Sequence, residues 1–270
     1  MAEVRSAAVL ETRPDASPAV ECGKYIYAIV AAGASDIVGI PGIGGHPLSV
    51  IAEGRVAAVV SDVGPGRIRP ERRNLGAHQN VLKTLLDLSP VPLPMSFGIV
   101  GESSAGVRRM LARNQAAILE QLQRVAGKVE MGLRVRWDVP NIFEFLVDTH
   151  AELRDMRDRI VGSGRMATHD EKIEIGSMFD RTLNRDRARL TEEVQQFLYP
   201  VSAEMKVNKC KDEYEVMNLA CLVRREHLDA FSNAIFDAAK LFDDKYSFDF
   251  GGPWAPHNFV TLDLDLKDET

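Results

Sequence analysis

Apolar positions along the chain change period several times, and each change marks an element. Tyr25-Ile-Tyr-Ala-Ile-Val30 is a continuous β-rich run bounded by Gly23 and Gly33 and reads as a buried first strand. Leu48–Ile51 and Val56–Val60 flank Glu53-Gly54-Arg55, the tip of a hairpin whose second strand is buried. Between Glu71 and Leu88 the apolar residues fall at helical spacing, and Ser89-Pro90 stops the helix. In Val91-Pro-Leu-Pro-Met-Ser-Phe-Gly98 two prolines cannot donate ladder hydrogen bonds, so a strand here begins at Met95 or lies at a sheet edge. Ser103 or Ser104 caps a helix with Val107, Met110, Leu111, Ile118 and Leu122 on its apolar side, closed by Gly127.

After Gly127 the period becomes two. Val129, Met131, Leu133, Val135 and Trp137 alternate with Glu130, Gly132, Arg134 and Arg136, the pattern of a half-buried strand. A helix starts at Asn141 and is broken by Gly162-Ser-Gly164; a second runs from about His169 to Tyr199. In the second helix Leu183, Leu190 and Phe197 recur every seven residues, with Arg187, Val194 and Val201 in the alternate seam. The preferred reading is an intrachain hairpin with the preceding helix; the other is a seam open to a partner helix. Strand Tyr214–Val223, helix Arg225–Phe242, strand Lys245–Phe250, a Gly-Pro turn and strand Asn258–Leu266 complete the chain. The fold class expected is α+β in two domains: an N-terminal α+β domain over 24–126 after a loose tail at 1–23, and a C-terminal domain over 127–270. The latter is a ferredoxin-like antiparallel sheet with a long helical insertion, a hairpin at about 141–200.

Composition narrows the function classes. The chain has 45% hydrophobic and 27% charged residues, enough apolar material for packed cores. Net charge is −6 and the pI about 5.6, against a nucleic-acid binder. Residues 1–126 carry 13 Lys/Arg against 11 Asp/Glu, and residues 127–270 carry 20 against 28, so the acid is concentrated in the second half. Cys22, Cys210 and Cys221 are sparse and odd in number, which fits reduced thiols in the cytoplasm and no zinc spacing. No run is long and apolar enough to span a membrane, and no secretory signal is expected.

Catalytic motifs are missing. Ile40-Pro-Gly-Ile-Gly-Gly45 lacks the Lys-Ser/Thr of a phosphate loop, and no G-x-S-x-G or H-E-x-x-H occurs. His46, His78, His150, His169, His227 and His257 are scattered, with His78 and His150 read as packed or capped. Asp243-Asp244 and Asp263-x-Asp265 lack calcium-loop spacing, and Asp249-Phe-Gly251 matches a kinase segment only by its three letters. No catalytic residue, cofactor or metal is therefore expected. What remains is Phe248-Asp-Phe-Gly-Gly-Pro-Trp-Ala-Pro-His-Asn-Phe259, which packs aromatics, prolines and glycines into one turn. It is either a packed corner with Trp254 folded onto the core or a surface anchor.

Six stretches together resemble the family of gas vesicle accessory proteins F and L. They are Tyr25–Val30, Ala57–Ser61, His78-x-x-Val81-Leu82, Val91-Pro-Leu-Pro-Met-Ser-Phe-Gly98, Gly127–Trp137 and Gly251-Gly-Pro-Trp-Ala-Pro-His-Asn-Phe259. They run in order from residue 24 onward; the resemblance does not separate F-type from L-type members. It implies a role in assembling a hollow all-protein shell, with the hydrophobic shell protein and other accessory proteins as partners, no nucleic acid and no membrane, and a place at the gas vesicle or in the cytoplasm. Candidate contact residues are Leu183, Leu190, Val194 and Phe197 on the seam and Trp254 and Phe259 in the aromatic turn. On that expectation, charged substitutions at Leu190 and Val194 abolish shell-protein binding and leave the fold intact. The rival reading is a small-molecule-binding or catalytic α+β protein; a third is a structural shell component.

Overall fold

The structure, a computed structural model, describes residues 22–33, 40–64, 67–88 and 91–262. The expected Ser89-Pro90 stop, the Asp263-x-Asp265 pair and nearly all of the N-terminal tail lie outside these residues. The chain is mixed α and antiparallel β, with two sheets.

In the first sheet the strands β1 (Gly23–Ala31), β2 (Leu48–Glu53), β3 (Val56–Val63), β4 (Leu93–Pro94) and β5 (Val100–Gly101) are arranged β2-β3-β1-β4, with β5 also on β1. Gly54, at φ 57°, turns the β2–β3 hairpin. β1 is apolar at every buried position because helices cover both of its faces. On one face α1 (Arg72–Leu88) brings Val81, Leu82 and Leu85 against Tyr25 and Tyr27. On the other, α2 (Ser104–Val125) brings Val107, Met110, Leu111 and Ile118 against Ile26 and Ile29. Pro94 sits at the sheet edge, where its missing N–H costs no ladder bond. The Ser103 hydroxyl accepts from Gly106 N–H at 3.0 Å and caps α2.

The second sheet has β6 (Lys128–Trp137), β7 (Glu204–Asn208), β8 (Glu215–Arg224) and β9 (Tyr246–Trp254) in the order β7-β8-β6-β9, antiparallel throughout. Between β6 and β7 lie α3 (Ile142–Thr149), α4 (Ala151–Gly162) and α5 (His169–Leu198); α6 (Leu228–Ala239) lies between β8 and β9. This is βαββαβ connectivity with a helical array in place of the first helix, the ferredoxin-like arrangement.

Four local expectations change. The helix begun at Asn141 is two helices, because His150 takes an extended conformation (φ −121°, ψ 114°) and both ends one helix and precedes the next. β7 is an additional strand: Glu204-Met-Lys-Val-Asn208 is a short, charged edge whose apolar side is only partly covered. α6 stops at Ala239, short of Phe242. The final strand expected at 258–266 is absent over its described part, where His257–Phe259 is a 3₁₀ turn. Instead β9 continues through Gly252-Pro253 to Trp254.

One apolar cluster joins α2, the inner face of β6 and β8, and α3, α5 and α6. Polar ties cross the same junction. Arg124 binds Glu204 through Nη2–Oε2 at 2.5 Å and Nε–Oε1 at 3.0 Å, and Arg225 Nη2 donates to the Leu86 carbonyl at 2.6 Å at the end of α1.

Candidate protein-contact surface

The expected seam on α5 lies inside the protein. Leu183, Leu190 and Val194 are buried in the main apolar cluster, and Phe197 is half-buried against it. α5 packs on α6 and β8, so a partner reaches these side chains only if the helix leaves the sheet. Arg187, the odd residue of the seam, has a structural reason. Its Nε donates to the Glu215 carbonyl at 2.9 Å and its Nη2 to the Asp212 carbonyl at 2.7 Å, holding the β7–β8 connection. The expectation that charges at Leu190 and Val194 leave the fold intact is therefore overturned: each would place an unpaired charge in an apolar core.

The aromatic turn divides between core and surface. Phe259 is 4% exposed and packs on Ala220 and Leu222, while Ala255 enters the core of the first sheet beside Tyr25, Tyr27 and Leu82. Trp254, just before Ala255, is 49% exposed. Its ring lies against the backbone of Gly132 on β6 and Gly251 on β9. A Cβ at Gly132 would stand 2.8 Å from the indole, and one at Gly251 3.1 Å. The two glycines are thus the seat that lets the indole lie on the sheet.

Glu130 fastens the turn. Its carboxylate accepts from Asn258 N–H at 2.8 Å and from Asn258 Nδ2 at 2.6 Å. Burial raises the Glu130 pKa, opposed by these two hydrogen bonds and by nearby Lys206. Period-two alternation placed Glu130 among outward polar residues, and nothing in the sequence announced that Asn258 would cover it.

Two concavities meet at Trp254. One, about 340 Å³, lies on the face of the second sheet opposite its helices, with Asn208, Asn218, Arg134 and Asp249 in register across four strands. The other, about 490 Å³, separates the turn from Gln79, Asn80, Lys83 and Asp87 of α1. A partly exposed indole between polar-rimmed hollows has the anatomy of an interface anchor.

Other buried polar groups lie among partners from within the chain. Glu215, fully buried, accepts from Lys211 N–H at 2.5 Å and pairs with Arg134 Nε at 2.8 Å. His78 is buried in an aromatic cluster with Tyr25, Tyr27 and Phe97, its Nδ1 2.9 Å from the Tyr25 hydroxyl. Burial above all, with a smaller push from His257, lowers its pKa to about 4. His150 Nε2 is 3.3 Å from Asp186 Oδ2. Burial pushes the Cys221 thiol up to about 12, that of an inert packed cysteine. Among the described residues no three His, Cys, Asp or Glu side chains gather as a metal site, and no helix is long and apolar enough to cross a membrane.

Comparison with known proteins decides the family. The sequence profile described as gas vesicle synthesis protein GvpL/GvpF matches residues 23–261. The chain belongs to the GvpL/GvpF family. Gas vesicle protein F of Dolichospermum flosaquae is 25% identical over 241 residues, covering 88% of this chain and 98% of that one. Gas vesicle protein F of a Streptomyces strain is 27% identical, covering 80% and 88%. Gas vesicle protein L1 of Halobacterium salinarum is 23% identical, covering 93% and 94%. The crystal structure of GvpF from Anabaena sp. PCC7120 shares the fold, with a TM-score of 0.79 at 22% identity, covering 90% of this chain and 99% of that one. GvpF from Microcystis aeruginosa superposes with a TM-score of 0.76 at 21% identity, covering 89% and 100%. Membership places the chain in a gas-vesicle-related role, and the family resemblance read from the six sequence stretches holds across nearly all of the described residues.

Proposed function

We propose that this GvpL/GvpF member acts by contact in gas vesicle assembly, without catalysis, binding the hydrophobic shell protein and other accessory proteins in the cytoplasm or at the vesicle. The surface centred on Trp254 is its docking site. The observation that carries this reading is the half-exposed indole, seated on Gly132 and Gly251 and flanked by two hollows, in a chain of this family. Such an anchor offers a large rigid contact area at little ordering cost, and its polar rim keeps the unbound protein soluble. Phe259 packs on Ala220 and Leu222 of the same sheet, and the α5 seam is buried in the core.

The test is co-purification of the shell protein with full-length chain carrying Trp254→Ala. The expected outcome is a loss of about 2 kcal/mol in binding, roughly 30-fold, with the melting profile retained. Wild-type binding by the folded variant removes this surface. Failure of the unmodified chain to retain the shell protein or any accessory protein overturns the contact reading.

A further inference from the structure

The outer edge of β9 offers main-chain groups beside the Trp254 surface. β9 ends the β7-β8-β6-β9 order, and no strand among the described residues pairs with its far side. Asp138 N–H donates to the Lys245 carbonyl, and the β6–β9 register runs unbroken from Trp137↔Tyr246 to Gly132↔Gly251. Bonded and non-bonded pairs alternate in an antiparallel ladder. Arg136–Ser247 and Arg134–Asp249 are therefore the bonded pairs, and the N–H and C=O groups of Phe248 and Phe250 point away from the sheet, while the Tyr246 N–H, on the same side, donates to the Asp243 carbonyl at 3.3 Å.

Side chains beside this edge are apolar and acidic. Phe236 of α6 is 58% exposed with its ring edge-on to Phe250 at 6.0 Å, and Leu241 after the helix is 59% exposed. Asp243, Asp244 and Asp249 are exposed without a cationic partner among the described residues, since Arg134, opposite Asp249, is engaged by Glu215. No lysine or proline interrupts the edge from Tyr246 to Gly251, so the usual devices that blunt a free strand are limited to Asp249.

We propose that the β9 edge receives an extended segment of a partner protein as a fifth strand, and that this segment is apolar at alternate positions and carries Lys or Arg. The proposal rests on the contact reading above. Outward main-chain groups supply the pairing, Phe236, Phe250 and Leu241 take alternate side chains, and the aspartates select a basic segment. The same aspartates disfavour a second copy, since pairing two β9 edges sets acidic rows alongside each other.

The experiment uses the full chain and overlapping synthetic peptides that tile the shell protein and the other accessory proteins of gas vesicles. Affinity is measured by titration and backbone amide exchange is followed residue by residue. The expected result is that the tightest peptides are basic with alternating apolar residues and slow exchange at Phe248 and Phe250 at least ~10-fold. Asp244→Lys with Asp249→Lys weakens them by about 10-fold, an effect that shrinks in high salt. Asp243 is left in place because it accepts from Lys245 N–H at 3.1 Å and shapes the turn. Unchanged exchange at those two amides, wild-type affinity in the folded double variant, or protection that arises with chain concentration alone and a doubled mass would each overturn the proposal. No peptide binding while the whole shell protein still co-purifies would sink the strand mode and leave the contact reading standing.

Discussion

His78 shows how one residue couples burial to pH. Its folded pKa lies near 4, below the ordinary 6.5, so the unfolded chain takes up a proton first as pH falls. The contribution of His78 is therefore complete above about pH 6.5, declines between there and about pH 4, and levels off below. The shift corresponds to about 3 kcal/mol. Denaturant titrations of wild type and His78→Gln across this range should converge toward pH 4; parallel curves would show that His78 does not carry the dependence. The sequence placed His78 on the apolar side of a helix and read it as packed, but its Tyr25 and Phe97 neighbours come from β1 and the loop after β4, far apart in the chain. Glu130 and Glu215 escaped sequence reading for the same reason. Each occupies an outward or strand-end position in the period-two pattern, and only the crossing of Asn258, or the folding back of Lys211 with Arg134, buries it.

At the scale of elements, the strongly periodic segments were legible: β1, the β2–β3 hairpin, α1, α2, β6 and α5 all form where their spacing places them. A short, charged edge strand such as β7 carries little period, and the described part of the strand expected at 258–266 instead opens with a 3₁₀ turn. The seven-residue repeat of α5 was read correctly as helical packing but leaves its destination open, since an intrachain and an intermolecular seam have the same period. The buried position of Leu190 and Val194 now yields a sharp expectation. Val194→Asp should cost several kcal/mol and lose the cooperative melt, whereas Ile173→Asp, on the exposed early turns of the same helix, should change stability by less than about 0.5 kcal/mol. Circular dichroism melts compare the two; a folded, normally melting Val194→Asp protein would contradict the placement of α5.

For the whole molecule, we propose two domains, 24–126 and 127–270, each with its own sheet and helices. They share the apolar cluster around Val125 and Val129, and Arg124–Glu204 and Arg225–Leu86 tie them across the joint. Calorimetry of the full chain should show one transition, because melting either half exposes the cluster that supports the other; two well-separated transitions would count against this coupling. The candidate contact site belongs to this scale too. Composition and motif reading point to the aromatic turn and leave its two meanings open; Gly132, against which Trp254 lies, and Glu130, which accepts from Asn258, are contributed by a strand more than a hundred positions earlier.

Ala255 is planted in the first half while its neighbour Trp254 rests on the second. Two adjacent residues thus straddle the seam of the molecule like a staple. On the docking reading proposed above, a partner that grips the indole holds a residue whose chain neighbour is fixed in the other half.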